Sequence, residues 1–400
     1  MPTLPRMEYT DLGFQAFDAD HHYYEAPDAF TRHVPRGWER RTMQWAEIDG
    51  RRRLLVAGKV NRFIPNPLFD PVARPGSLDD YFRGKRAGDD IRAAFGELEP
   101  INPGYRDPEA RVPMLDAQHI DACFLFPTLG VGMEEALVDD AEAAHVAFHA
   151  FNEWMLEDWT FNFDDRIYAA PYINLQIPSR AVDELEWALE HGARVVVMRA
   201  GPVRGPGFAR SPGDAAHDGF WARAAEAGIT VAFHSGDAGY NRYAQDYGVG
   251  GEMEAFRNDP LRGLLSGHRP IHDTIGALIC NGVFAHHPRL RIATIEAGSD
   301  WVAELYRYFK KSYAQRPSSY VGDPIEQLRG QLWISPYYED DLATLRDLHG
   351  ADRMLFGSDY PHAEGLADPC SFVNDLPGFS DAEIEQIMRT NGLALVQPLA

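Results

Sequence analysis

Eight short apolar runs, most of them rich in β-branched residues, recur along this chain: 15–20 (QAFDAD), 120–126 (IDACFLF), 167–174 (IYAAPYIN), 194–200 (RVVVMRA), 229–234 (ITVAFH), 290–296 (LRIATIE), 331–335 (QLWIS) and 353–358 (RMLFGS). Helix-length segments lie between most of them, at 139–160, 178–192, 214–227, 270–284, 299–315 and 339–349. A strand, a helix and a second parallel strand form a right-handed crossover unit, so this rhythm builds a parallel sheet. Eight such units predict an α/β protein of the (β/α)8 barrel type. A doubly wound sheet is the competing architecture. No GxGxxG follows the first run, so a dinucleotide fold has little support.

Two stretches break the rhythm. Residues 26–110 are rich in Pro, Gly, Arg and aromatics, and residues 236–268 read as a long loop with at most one helix. They follow runs one and five, at the end of the strands where barrels carry their active sites. We expect one barrel domain over 1–400, with both insertions serving as lid or pocket wall.

Composition narrows the classes of function. The net charge of −22 argues against nucleic acid and anionic membranes as partners. Cys123, Cys280 and Cys370 are far apart and have no CxxC spacing, which suits buried thiols in a reducing compartment. The N-terminal MPTLPRMEYTDLGF has no apolar signal core, and no run reaches the length of a membrane helix. The expected location is the cytoplasm; homo-oligomerisation stays open.

The chemistry begins at FDADHHYYEAPDAF, residues 17–30. Alternation along a strand puts Asp18, Asp20 and His22 on one face, and Ala19 and His21 on the other. Taken alone, this is equally a polar strand end entering a turn. The later strand ends add to it: His234 closes run five, Glu296 closes run six, and Asp359 with His362 follows run eight. One such residue is more often a hydrogen-bonded terminus than a ligand. Several on four strands converge above the barrel axis, as metal ligands and catalytic groups do.

The ordered set D-x-D-x-H, the lone His234, HPRLRIATIEAGSDW and GSDYPHAEG resembles the second amidohydrolase family, the branch containing the aminocarboxymuconate-semialdehyde and resorcylate decarboxylases. The likeness runs from about residue 15 to the C-terminus, includes DPEARVPMLDAQHIDACFLFP at 107–127, and is weak in the two insertions. It implies a divalent metal held by Asp20, His22, His234 and Asp359. Two departures stand out. Asp20 replaces the first histidine of the usual His-x-His pair, and Glu296 replaces a catalytic histidine of the decarboxylases.

Both departures put anionic oxygen where imidazole is usual. With Glu25, three residues past His22, the shell becomes Asp20, Glu25, Glu296 and Asp359 with His22 and His234. Such a set suits Fe or Mn better than tetrahedral Zn. Four carboxylates on one divalent ion would leave excess charge in a low-dielectric pocket, and a second ion would relieve it. Glu25 and Glu296 could equally be outer partners or a general base.

The variant DADHHYYE with EAGSDW and SDYPH resembles the barrel-fold non-haem diiron monooxygenases, typified by the diterpenoid hydroxylase of platensimycin and platencin biosynthesis. That likeness implies two Fe ions, O2, an electron donor, and hydroxylation of an unactivated C–H bond in a hydrophobic substrate, as free acid or CoA thioester. Glu296 and Asp359 would then be the catalytic ligands. The alternative is a decarboxylase or hydrolase with one Zn or Mn ion, in which Glu296 or His362 shuttles protons. His272, opening a helix after run five, is a candidate ligand to a second metal, although a helix-start histidine is more often structural. His21, His286 and His287 read as structural; Tyr23 and Tyr24 as ligand-orienting or pocket-lining.

Overall fold

The computed structural model describes residues 12–85, 91–251, 253–255 and 259–398. The reading of residues 1–11 as lacking a signal core, and the parts of the two insertions at 86–90, 252 and 256–258, lie outside those residues.

Seven of the eight runs form strands: β1 (Ala16–Tyr23), β2 (Ile120–Pro127), β3 (Ile167–Ala169), β4 (Val195–Arg199), β5 (Thr230–His234), β6 (Arg291–Ile295) and β7 (Leu332–Ile334). All pair in parallel, in the orders β1-β2-β3 and β4-β5-β6-β7. A bridge between Tyr172 and Val197 joins the two groups. The strands read as continuous apolar runs because both their faces are covered: Val195, Val196, Val197, Val231, Ile292 and Ile295 are all fully buried.

The eighth run forms no regular strand, yet it completes the ring. Leu355 N donates to Ile334 O, Ala19 N to Phe356 O and His22 N to Tyr360 O, each at 2.8 Å. Residues 354–360 therefore lie between β7 and β1. Their irregularity has a local cause. Asp359 has φ +57°, outside the strand region, and Pro361 has no N–H for a ladder.

Helices Ala141–Asp158, Pro178–Glu190, Asp218–Ala227, Arg269–Cys280, Asp300–Gln315 and Leu342–His349 pack outside the sheets. Asp140 and Asp341 cap two of them by accepting from Ala143 N and Thr344 N. In Asp300–Gln315 the buried residues Trp301, Val302, Leu305, Tyr306 and Phe309 recur at helical spacing and form its inner face.

The first insertion carries an antiparallel meander, Met43–Ile48, Arg51–Val56 and Lys59–Val60. The second holds two short helices, Asn241–Asp246 and Pro260–Ser266, where the sequence suggests at most one. Among the described residues no helix is long and apolar enough to cross a membrane.

Candidate metal centre

β1 does not alternate strictly. Its register against β2 shifts between Asp18 and His21. Asp18 consequently turns away from the face expected of it. Its Oδ1 accepts from Asp20 N and Ser358 N, both at 3.0 Å, and its Oδ2 lies 2.9 Å from His21 Nε2. Asp20 and His22 remain aimed over the barrel axis, and this corrects the grouping of Asp18 with them.

Around them the strand ends bring together the expected ligands. His22 Nε2 lies 3.2 Å from Asp20 Oδ1, 3.4 Å from Asp359 Oδ1 and 3.2 Å from His234 Nε2. His234 Nε2 is 3.5 Å from both Asp20 Oδ1 and Glu296 Oε2. His234 Nδ1 sits 2.8 Å from Ser235 O, which can only accept. A proton is thus on Nδ1; burial opposes a second one, but Asp20 and Glu296 outweigh it and raise the imidazole above its ordinary value.

Two ligand-bearing positions are held in the left-handed region, Glu296 at φ +49° and Asp359 at φ +57°. Such backbone is costly for residues other than glycine, and it concentrates at functional sites.

The donor set fits a divalent cation. Asp20 Oδ1 is buried without a well-formed hydrogen bond, although two imidazoles lie beside it. Three overlapping groups have ligand atoms within 4.8 Å of one another: Asp20, His22 and His234; His22, Asp359 and His362; Glu296, Asp359 and Glu364. Asp359 belongs to the last two and His22 to the first two.

The electrostatics record an excess of carboxylates. Burial, then the Asp359 charge, pushes the Glu296 carboxyl well above its ordinary value. Burial, then Glu364 and Asp20, does the same to Asp359, and burial raises Glu364. Burial opposes ionisation of Asp20 too, but the His22 and His234 imidazoles outweigh it and hold that carboxyl well below the usual range. Burial, then His362, drives His22 far below the ordinary histidine value. His22 is accordingly neutral and available as a ligand.

Other candidates fall elsewhere. Glu25 is buried, but its Oε1 accepts from Leu129 N at 2.8 Å and Gly130 N at 3.0 Å, and its Oε2 has no partner. It is in none of the three groups, and burial raises its carboxyl to about 7. His272 is not brought to the centre either. Its Nδ1 pairs with Asp273 Oδ1 at 2.8 Å. On a helix one residue's rotation redirects a side chain by about 100°, and Ile271 takes the inward position. His287 pairs with Asp218, and neither it nor His286 joins a group.

His362 does reach the centre. Its Nδ1 lies 2.5 Å from Asp359 Oδ1 and its Nε2 2.9 Å from Thr128 Oγ1. Glu364 is the residue that motif reading missed. Its one signal was its place in GSDYPHAEG, in the same strand-end loop as Asp359.

A cavity of about 480 Å³ opens over the centre. Phe63, Ile64, Phe69 and Val72 of the first insertion wall it, and His22, His234, Glu296 and Glu364 form its floor. Tyr24 lines it, whereas Tyr23 is packed between Trp154 and Trp159. A second cavity, also about 480 Å³, shares His234 and Met253 with the first and runs beneath the second insertion.

Carboxylates and imidazoles converging on the strand ends of a parallel ring place candidate metal ligands where barrels of this type carry their active sites. The family model described as amidohydrolase matches residues 17–397, and the chain belongs to that family. It is similar to an amidohydrolase of Mycobacterium avium subsp. paratuberculosis K-10, at 44% identity and TM-score 0.91, covering 96% of this chain and 100% of that one. That coverage takes in most of both insertions. More distant solved structures share the fold. The 2,6-dihydroxybenzoate decarboxylase from Rhizobium is 19% identical, with TM-score 0.57, over 82% of this chain and 96% of that one. A dihydroxybenzoic acid decarboxylase from Polaromonas sp. JS666, solved with bound manganese, is 16% identical, with TM-score 0.56, over 80% and 92%.

Proposed function

We propose that the centre holds two divalent ions, iron foremost, and that the enzyme uses O2 to hydroxylate an unactivated C–H bond of a hydrophobic substrate. The observation that carries this reading is the carboxylate-only group Glu296, Asp359 and Glu364, which shares Asp359 with an imidazole-bearing group beneath an apolar cavity. Asp20, His22 and His234 would hold one ion; Glu296 and Glu364 the other, with Asp359 between. Two divalent cations would offset the four carboxylates Asp20, Glu296, Asp359 and Glu364, where one would not. Bound metal would supply O2 activation, and carboxylate-rich sites suit iron and manganese.

The protein's own groups do the rest. Thr128 Oγ1 donates to Tyr23 O at 2.7 Å, so His362 Nε2 must donate to Thr128. A proton then lies between His362 Nδ1 and Asp359 Oδ1, fixing that carboxylate's orientation. The Phe63 and Phe69 wall excludes water and positions an apolar skeleton, free or as a CoA thioester. One oxygen atom enters the product, the other leaves as water, and an external reductant supplies the electrons.

The second reading is decarboxylation or hydrolysis at a single Mn or Zn ion. The named activities of the distant structures favour it. So does the Glu296 carboxyl, which burial and the Asp359 charge raise well above its ordinary value, as a proton-carrying group requires.

Metal analysis and isotope labelling separate the two. The oxygenase reading expects two metals per chain, mainly iron, and 18O from O2 in the product. Glu296→Gln should lower metal content towards one and stop O2-dependent turnover. One metal per chain in active protein, with turnover that persists without O2 and releases CO2, overturns it.

A further inference from the structure

Below the ligands lies a cation that the chemistry above does not use. The Arg111 side chain is fully buried and touches no carboxylate directly among the described residues. Its Nη2 donates to His22 O at 2.6 Å and lies 3.3 Å from His21 Nδ1, and its Nη1 donates to Gly104 O at 3.2 Å. The guanidinium faces the rings of Tyr105 at 5.9 Å and Tyr360 at 5.5 Å. A buried arginine is ordinarily paired with an anion, because desolvating its charge is costly. Here a carboxylate, Asp18, is reached through His21.

The direction of the chain follows from the donors. Arginine can only donate, so His21 Nδ1 must accept and the His21 proton sits on Nε2, 2.9 Å from Asp18 Oδ2 in an ion-pair contact without well-formed hydrogen-bond geometry. Asp18 Oδ1 in turn accepts from Asp20 N and Ser358 N. The three residues therefore grip the backbone at Asp20, at His22 and at the residue before Asp359. The first two are ligand positions on the first strand, and the third, Ser358, adjoins the ligand position Asp359 on the eighth segment. The register shift in β1 makes this possible, because strict alternation would not leave Asp18 facing His21.

We infer that Arg111, His21 and Asp18 form a charged buttress beneath the metal centre, in which Arg111 is a positioning residue that sets the geometry and affinity of the Asp20, His22 and Asp359 ligand set. The inference rests on the metal-centre reading but not on the reaction assigned to it. Residues behind metal ligands typically change affinity about 10–100-fold when removed. A residue that merely fills the core would lower stability and leave the metal site of the folded fraction unchanged.

The test uses Co(II) added to chelator-stripped protein, with affinity from titration and ligand geometry from the visible absorption bands. Arg111→Met should weaken Co(II) about 10–100-fold and change the spectrum. Arg111→Lys keeps the charge but not the fork, so it should fall between the two. Methylguanidinium added to an Arg111→Ala protein should restore part of the affinity. If these variants fail to fold, His21→Phe decides, because its ring neither accepts from Arg111 nor donates to Asp18 and the cation stays in place; a comparable loss of affinity is expected. Wild-type affinity and spectrum in folded Arg111→Met or in folded His21→Phe overturn the inference. A wild type that binds no Co(II) removes the metal centre itself and the buttress with it.

Discussion

Glu364→Gln should make the metal-free protein more stable and the metal-loaded protein less so. The argument starts from distance. Glu296, Asp359 and Glu364 place oxygens within 4.8 Å of one another. Two full charges at that spacing repel by about 3.5 kcal/mol at an effective dielectric near 20, so Glu364 would face about 7 kcal/mol from two neighbours. Taking up a proton is the smaller cost. Holding a carboxyl of ordinary value 4.5 protonated at pH 7 costs about 3.4 kcal/mol, so protonation wins and sets the ceiling.

Glutamine removes that cost, and a gain of about 1–3 kcal/mol in the chelated protein is expected, because part of the strain stays between Glu296 and Asp359. Carboxyls raised in the folded state bind protons that the unfolded chain has released. The share of metal-free stability owed to these three carboxyls therefore falls as pH rises above the unfolded values and grows as pH drops from 7 towards 5, whereas the depressed His22 and His362 contribute with the opposite sign. Asp20 is shifted the opposite way, and its contribution is lost only in stronger acid. The stability of Glu364→Gln relative to wild type should therefore rise with pH between 5 and 7.

Metal reverses the ranking. Each tenfold loss of affinity removes about 1.4 kcal/mol of ligand-dependent stabilisation. The assay is thermal and denaturant unfolding of both proteins, with chelator and with saturating Mn(II), across pH 5 to 7. If the variant is no more stable than wild type under chelation, or gains as much from Mn(II), the carboxylate cluster is not a cation site.

Other outcomes follow from the same geometry. His234→Ala should strip the metal with the circular dichroism unchanged, because the barrel core lies below it, whereas His272→Ala should leave metal content at the wild-type level; loss of metal from the second variant alone would reverse the placement. A Cβ at Gly392 would sit 2.2 Å from Phe17 Cδ1 at the base of β1, so Gly392→Ala should cost about 1–3 kcal/mol, read as a lower denaturant midpoint at constant slope.

Much of this molecule is local in origin. The barrel was legible because covered strands read as short β-branched runs, eight of them, and outer helices as periodic segments between most of those runs. Asp20, His22, His234, Glu296 and Asp359 were legible for the same reason. A polar residue that ends an apolar strand must emerge at the rim, and parallel strands of one ring share that rim. Where a side chain points was not always local. The shift in β1 turns Asp18 and His21 into partners, and it arises from pairing with β2 and residues 354–360, far away in sequence. Glu25 reads as a ligand from its spacing alone, and the fold ties its Oε1 to the Leu129 and Gly130 amides and leaves it outside the three ligand groups. His272 and Glu364 changed places as candidates because docking of a helix and the path of a loop decide which reaches the centre. Strand chemistry is written in neighbours along the chain. Convergence of helix starts, loops and buried charges is settled by packing, where contacts between distant segments choose among directions that local sequence leaves equal.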